Sequence, residues 1–231
     1  CDAPGAERAR GAGYETGDRA ALVIRHVETA VTAVAAEFVG VQEARDLTDA
    51  LETTHPALVA ELVPRLVPLA RLADVLRRLV AERVSISDVR AIFEALAAVA
   101  HHDADPGELT EAVRAQLGRQ ITQSLTAGRE TLAVYVLSPE VEQEFRDNLR
   151  YTPPGGTCAV DHRTAERIMR TLAELEAMPH DPAAPRPVLL VAADVRRHVR
   201  ALVAFEFPEL ATISPVELAS GLTVQRLAIV E

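Results

Sequence analysis

In the first half of the chain, apolar positions recur every three or four residues. Over 18–38, Val23, Val27, Ala30 and Val34 fall on one side of a helix. A second helix is expected over roughly 42–53. His55-Pro56 then restarts the chain with proline at a first-turn position, where its missing N–H removes no bond. The stretch LVPRLVP (62–68) predicts a break, because proline inside a helix removes a hydrogen bond and clashes with the preceding turn. Leu69, Leu72, Leu76 and Leu79 follow as a leucine stripe that ends near Arg83.

Ser85 with Asp88 three residues on resembles a capping box, with Asp in place of Glu. Val89, Phe93, Leu96 and Ala100 form the apolar face of the next helix. Asp105, Pro106 and Glu108 mark the start of another, carrying Leu109, Val113 and Leu117.

Beyond about residue 122 the period changes. TLAVYVLSP (131–139) and PVLLVA (187–192) are short apolar runs bounded by proline, the mark of buried strands, and LATIS and LTVQRLAIV read as strands near the end. Helical patterns cover 139–150, 161–178 and 193–205, while TPPGGT (152–157) is a turn or loop. The expected fold is therefore mixed: an all-α N-terminal part followed by a compact α/β subdomain, with βα alternation and about four or five short strands. The chain shows neither internal repeats nor a low-complexity linker.

Composition narrows the function. The 231 residues are 48% hydrophobic and 25% charged, ordinary for a globular protein, and long enough for a substantial core. Every basic residue is Arg; there is no Lys. The formal charge is −10, and no run of Arg supplies the segregated basic face that phosphate neutralisation needs. Aromatics at 3% leave few platforms for stacking bases, so nucleic acid is disfavoured. No apolar run approaches the roughly 18 residues of a membrane span. Cys1 and Cys158 give neither metal spacing nor a disulfide framework, which fits a reducing cytoplasm. A first residue that is Cys rather than Met suggests a piece of a longer protein.

Candidate chemistry is sparse. His101, His102, Asp103 and Asp105 are metal-binding types, but neighbours on one loop rarely converge on one ion, and a solvated loop leading into a helix cap accounts for them better. Cys158, Asp161 and His162 combine nucleophile, acid and base types in an order that matches no catalytic pattern; a cysteine on a short strand is the simpler account. Gly11 and Gly13 lack the preceding strand and third glycine of a dinucleotide fingerprint. Glu142 and Glu144 are expected on a solvated helix face. No catalytic, metal or cofactor set emerges, and the chain reads as a non-enzymatic binding or assembly module.

Three local patterns point further. They are LVP before the leucine helix, ERVSI-x-D-x-R at 82–90, and DP-x-x-LTE-x-VR-x-x-LGR-x-I at 105–121. Together they resemble the cytoplasmic domain of the type III secretion export-gate family (FlhA/SctV, FHIPEP). GYETGDRAALVIRH (13–26), GVQEARDL (40–47) and 187–218 are similar more weakly. Ser87 and Val41 stand where the family patterns carry Arg, and Thr16, Gly17 and Arg19 depart from the family's T-V-V-D-P.

The resemblance implies that residues 1–42 are the tail of a first subdomain, 43–122 a helical third and 123–231 an α/β fourth. It implies a nine-subunit ring of copies of this chain that receives secretion chaperones, export substrates and other export-apparatus proteins. The expected location is the cytoplasmic face of the bacterial inner membrane, without membrane contact by this segment. The protein-interaction residues it singles out are Arg25, His26, Arg83, Ser85, Ser87, Asp88 and Arg90. A stand-alone adaptor that shares the fold but serves no secretion system is the alternative, and an enzyme built on Cys158 and His162 a third.

Overall fold

A computed structural model describes residues 19–151, 156, 160–178 and 184–231. Helix α1 (Arg19–Val34) leads into a 3-10 turn, Ala35–Phe38. Helix α2 (Val41–Glu52) follows, with Glu43 Oε2 accepting from the Gly40 N–H at 2.8 Å. Helix α3 (Pro56–Leu62) begins on the expected proline, and the LVPRLVP segment is indeed irregular. Then come α4 (Leu69–Ala81), α5 (Val89–Val99), α6 (Pro106–Gln116) and α7 (Gly118–Thr126).

The second half alternates strand and helix as anticipated: β1 (Thr131–Leu137), α8 (Pro139–Leu149), α9 (His162–Glu176), β2 (Val188–Leu190), α10 (Arg196–Val203), β3 (Thr212–Ile213) and β4 (Thr223–Val230). The four strands form one parallel sheet in the order β3-β2-β1-β4. TPPGGT and Cys158 fall largely or wholly outside the described residues.

Why the central strands are apolar on successive residues is visible in their two faces. Leu132, Val134, Val188 and Ile213 belong to a core shared with Leu72, Leu76, Leu79, Phe93 and Leu109 of the helical half. Tyr135, Leu137, Leu189, Val191 and Val230 face a second core with Phe145, Ile168, Leu172 and Val199 from α8, α9 and α10. Side chains alternate across a strand, so a sheet covered on both faces needs near-continuous hydrophobic runs.

Glu142 and Glu144 do not lie on a solvated face. Glu142 accepts from the Ala192 N–H at 2.7 Å and from Arg146 Nη2 at 3.2 Å, and Glu144 accepts from the Thr164 hydroxyl at 2.8 Å. Flanked by buried Val141 and Phe145, these carboxylates sit at the rim of the second core, where backbone and hydroxyl donors need partners.

Candidate functional site

The corner between α4 and α5 begins with an unusual backbone. Val84 N–H returns to Leu79 O at 2.9 Å, and Arg83 adopts a left-handed conformation with φ 59°. This helix-ending geometry favours glycine, and an L side chain there costs about 1–2 kcal/mol. The twist places the Arg83 guanidinium against Glu209, in the loop after α10, with Nη1 and Nη2 each donating to a separate carboxylate oxygen.

The expected capping box is corrected here. Asp88 is the N-cap of α5, its Oδ1 accepting from the Ala91 N–H at 3.0 Å. Ser85 lies too early for that role. Its Oγ accepts from the Ser87 N–H at 3.3 Å and shares a hydrogen bond with Ser87 Oγ at 2.9 Å, closing a local turn. Arg90 pairs along the helix with Glu94 at 2.8 Å.

Arg83 and Ser85 line a cavity of about 300 Å³ between α7 on one side and α10 and β3 on the other. Ser87, Asp88 and Arg90 continue along exposed surface. His26 is exposed on α1, and the side chain of Arg25 lies outside the described residues.

Behind the cavity lies a feature the sequence did not announce. Arg196 is fully buried. Its Nη1 donates to Glu82 Oε2 at 2.5 Å and to Thr212 O at 3.1 Å, its Nη2 to Glu82 Oε1 at 3.0 Å, and its Nε to Glu111 Oε2 at 2.6 Å. Arg114, also buried, donates to Glu82 at 3.1 Å and to Glu217 at 2.6 Å. Burial alone would raise the Glu82 carboxyl, but the Arg196 and Arg114 guanidiniums hold it below the ordinary carboxylate range. Burial works against charge on Arg196 too, yet Glu111 and Glu82 push its pKa above the usual value.

These residues come from α4's end, α6, α10 and the turn before β4, so the network ties the helical half to the sheet. Gly118 fits the same seam: a Cβ there would meet Glu217 O at 2.8 Å. Next to the network, burial depresses the pKa of Arg200, which donates to the carbonyls of Phe207, Pro208 and Leu210. Arg114 Nε and Thr212 Oγ1 are buried without a hydrogen-bond partner, a condition that costs about 1–3 kcal/mol per group.

The residues match the FHIPEP family model from 2 to 223. The chain belongs to the FHIPEP family. Low calcium response locus protein D of Yersinia pestis is 32% identical over 206 residues, which cover 87% of this chain and 28% of that protein. The chain thus spans less than a third of that relative's length. Among solved structures, the Chlamydia pneumoniae CdsV protein superimposes with TM-score 0.84 at 33% identity, over 97% of this chain and 64% of that one. CdsV has also been solved in complex with CdsO. Nonameric SctV-C of EPEC gives TM-score 0.77 at 33% identity, over 88% of this chain and 61% of that one. This FHIPEP chain therefore has the fold of SctV cytoplasmic domains, mixed α and α/β as its pattern implied.

Several of the other chemical candidates in this FHIPEP chain have local partners. Asp105 caps α6, accepting from the Glu108 N–H at 3.2 Å, and pairs with Arg197 at 2.6 Å. The carbonyls of His101 and His102 accept from Arg71 at 3.5 and 2.9 Å. Asp161 caps α9 through the Thr164 N–H at 2.8 Å, and His162 pairs with Glu166 at 3.1 Å on open surface. Among the described residues no three His, Cys, Asp or Glu side chains converge on a metal position, and no helix is long and apolar enough to cross a membrane.

Proposed function

We propose that this chain is a non-enzymatic assembly and docking domain of a type III secretion export gate. In this reading it joins copies of itself in a ring at the cytoplasmic face of the bacterial inner membrane and receives chaperone–substrate complexes. Residues 1–42 are the tail of a first subdomain, 43–122 a helical third and 123–231 an α/β fourth, and the 83–90 corner together with Arg25 and His26 contributes contact surface. The observation that carries the reading is the close likeness, over most of the chain, to a domain solved as a nonamer. The complex of CdsV with CdsO supports a role in holding partner proteins. The chain's own exposed apolar side chains on α1, Leu22, Val23, Ile24, Val27 and Val31, are consistent with further contacts.

Light scattering across a concentration series tests assembly. The expected outcome is a mass that rises with concentration and falls on Arg83→Ala or Arg90→Ala substitution. A monomer at every concentration, on its own and when joined to its membrane-proximal segments, refutes ring formation.

A further inference from the structure

The cavity beside Arg83 is rich in arginine. In a chain of formal charge −10, its lining sets four arginines (83, 114, 186 and 200) against two acids, Glu82 and Glu209. Both acids are already engaged, Glu82 by buried Arg196 and Arg114 and Glu209 by Arg83. Arg200 bonds backbone carbonyls, and among the described residues neither it nor Arg186 has a carboxylate partner. Arg114 and Thr212, both about 98–99% buried in the wall, each keep one polar atom unpartnered.

Glu209 shows which anion fits. It is a carboxylate within Phe207-Pro208-Glu209-Leu210, and it already engages Arg83 at the cavity wall. Apolar lining from Ile121, Leu125 and Pro208 lies alongside. The volume of about 300 Å³ is at the lower limit of ligand sites. It suits one or two side chains rather than a folded element.

We propose that this cavity recognises an acidic side chain of a partner protein, flanked by an apolar residue, which displaces Glu209 from Arg83. The incoming carboxylate takes the Arg83 guanidinium, with Arg186 and Arg200 on the same lining adding positive charge. Its apolar neighbour packs on Ile121, Leu125 and Pro208. Glu209 then turns to solvent, a small loss because exposed ion pairs are weak. The inference rests on the docking role only in that the occupant is a protein. Its test uses isolated peptides, so its failure leaves ring assembly untouched, and failure of ring assembly leaves it standing.

The test follows the arginine Nε–H resonances of the ¹⁵N-labelled 231-residue protein by NMR. Three probes are titrated: acetyl-Leu-Glu-Leu-amide, the same peptide with Gln, and sodium pentanoate. The expected result is a saturable shift at Arg83 and Arg200 with the Glu peptide and none with the Gln peptide. Glu209→Gln, which removes the internal competitor, tightens binding about two- to fivefold. Arg83→Gln weakens it at least about threefold, read at Arg200, with the fold checked by circular dichroism. Equal shifts from the Glu and Gln peptides, or none from either, overturn the proposal. Binding of pentanoate without binding of the Glu peptide overturns the protein partner.

Discussion

Replacing Arg196 by Met leaves Glu82 and Glu217 with Arg114 as their buried guanidinium partner and strips Glu111 of its ion pair. Removing one partner of a buried ion pair costs about 3–5 kcal/mol, because the charge left behind is desolvated and uncompensated. At about 2–4 °C per kcal/mol for a chain of this size, the melting temperature falls by roughly 6–20 °C. The loss has a pH signature. In the native protein Glu82 sits below its ordinary pKa, so its stabilisation is fully present above the unfolded value near 4.3 and is lost only as pH falls through the folded one. Without Arg196, burial dominates and the Glu82 carboxyl rises, so the variant recovers stability as acid protonates it. The gap between the two proteins is therefore widest at pH 7–8 and narrows toward pH 5. Urea unfolding followed by far-ultraviolet circular dichroism at those two values measures it. A deficit below about 1 kcal/mol at pH 7, or one that widens in acid, refutes the network as a source of stability.

Three further outcomes follow from local geometry. Asp88→Ala removes the α5 cap and lowers stability by about 0.5–2 kcal/mol in thermal melts, whereas Ser85→Ala changes it by less than about 0.5 kcal/mol. Gly118→Ala drives a methyl group against the Glu217 carbonyl and costs about 1–3 kcal/mol by denaturant titration. Burial, and then the neighbouring Arg197, keep the His198 imidazole below its usual pKa. Its stabilisation is thus complete above pH of about 6.5 and declines as pH falls below it, so His198→Gln flattens stability against pH between 6.5 and 5.

Helices and strands were legible because burial here is periodic. The leucine stripe of α4 and the paired runs of β1 and β2 each announce one or two covered faces. The buried charges were not, since Glu82, Arg114, Arg196 and Glu217 come from four separate segments and each alone resembles a solvated residue. One signal was present. Arg196 precedes Val199 and Val203 by three and seven residues, which puts it on the buried side of α10. Glu142 beside Val141 carried a similar hint at the second core. At the corner, the Ser-x-x-Asp spacing suggested a cap at Ser85, while Asp88 immediately before Val89 was the cap that formed. Arg83 in a left-handed turn had no sequence signal, because glycine is the residue that usually marks that position.

The strand order carries a consequence for biosynthesis. β1 lies between β2 and β4, yet β4 is the last of the four to be made. Everything from residue 138 to residue 222 must leave the ribosome before Leu132 and Val134 gain their neighbours on that side. At about 5–20 residues per second the delay is on the order of 5–20 s. The helical segment, complete by Thr126, can meanwhile fold against one face of the nascent strand and shelter it. The open edge of β1 stays unpaired until the end, so premature release of the polypeptide short of Thr223 leaves an aggregation-prone intermediate rather than a slightly weakened domain.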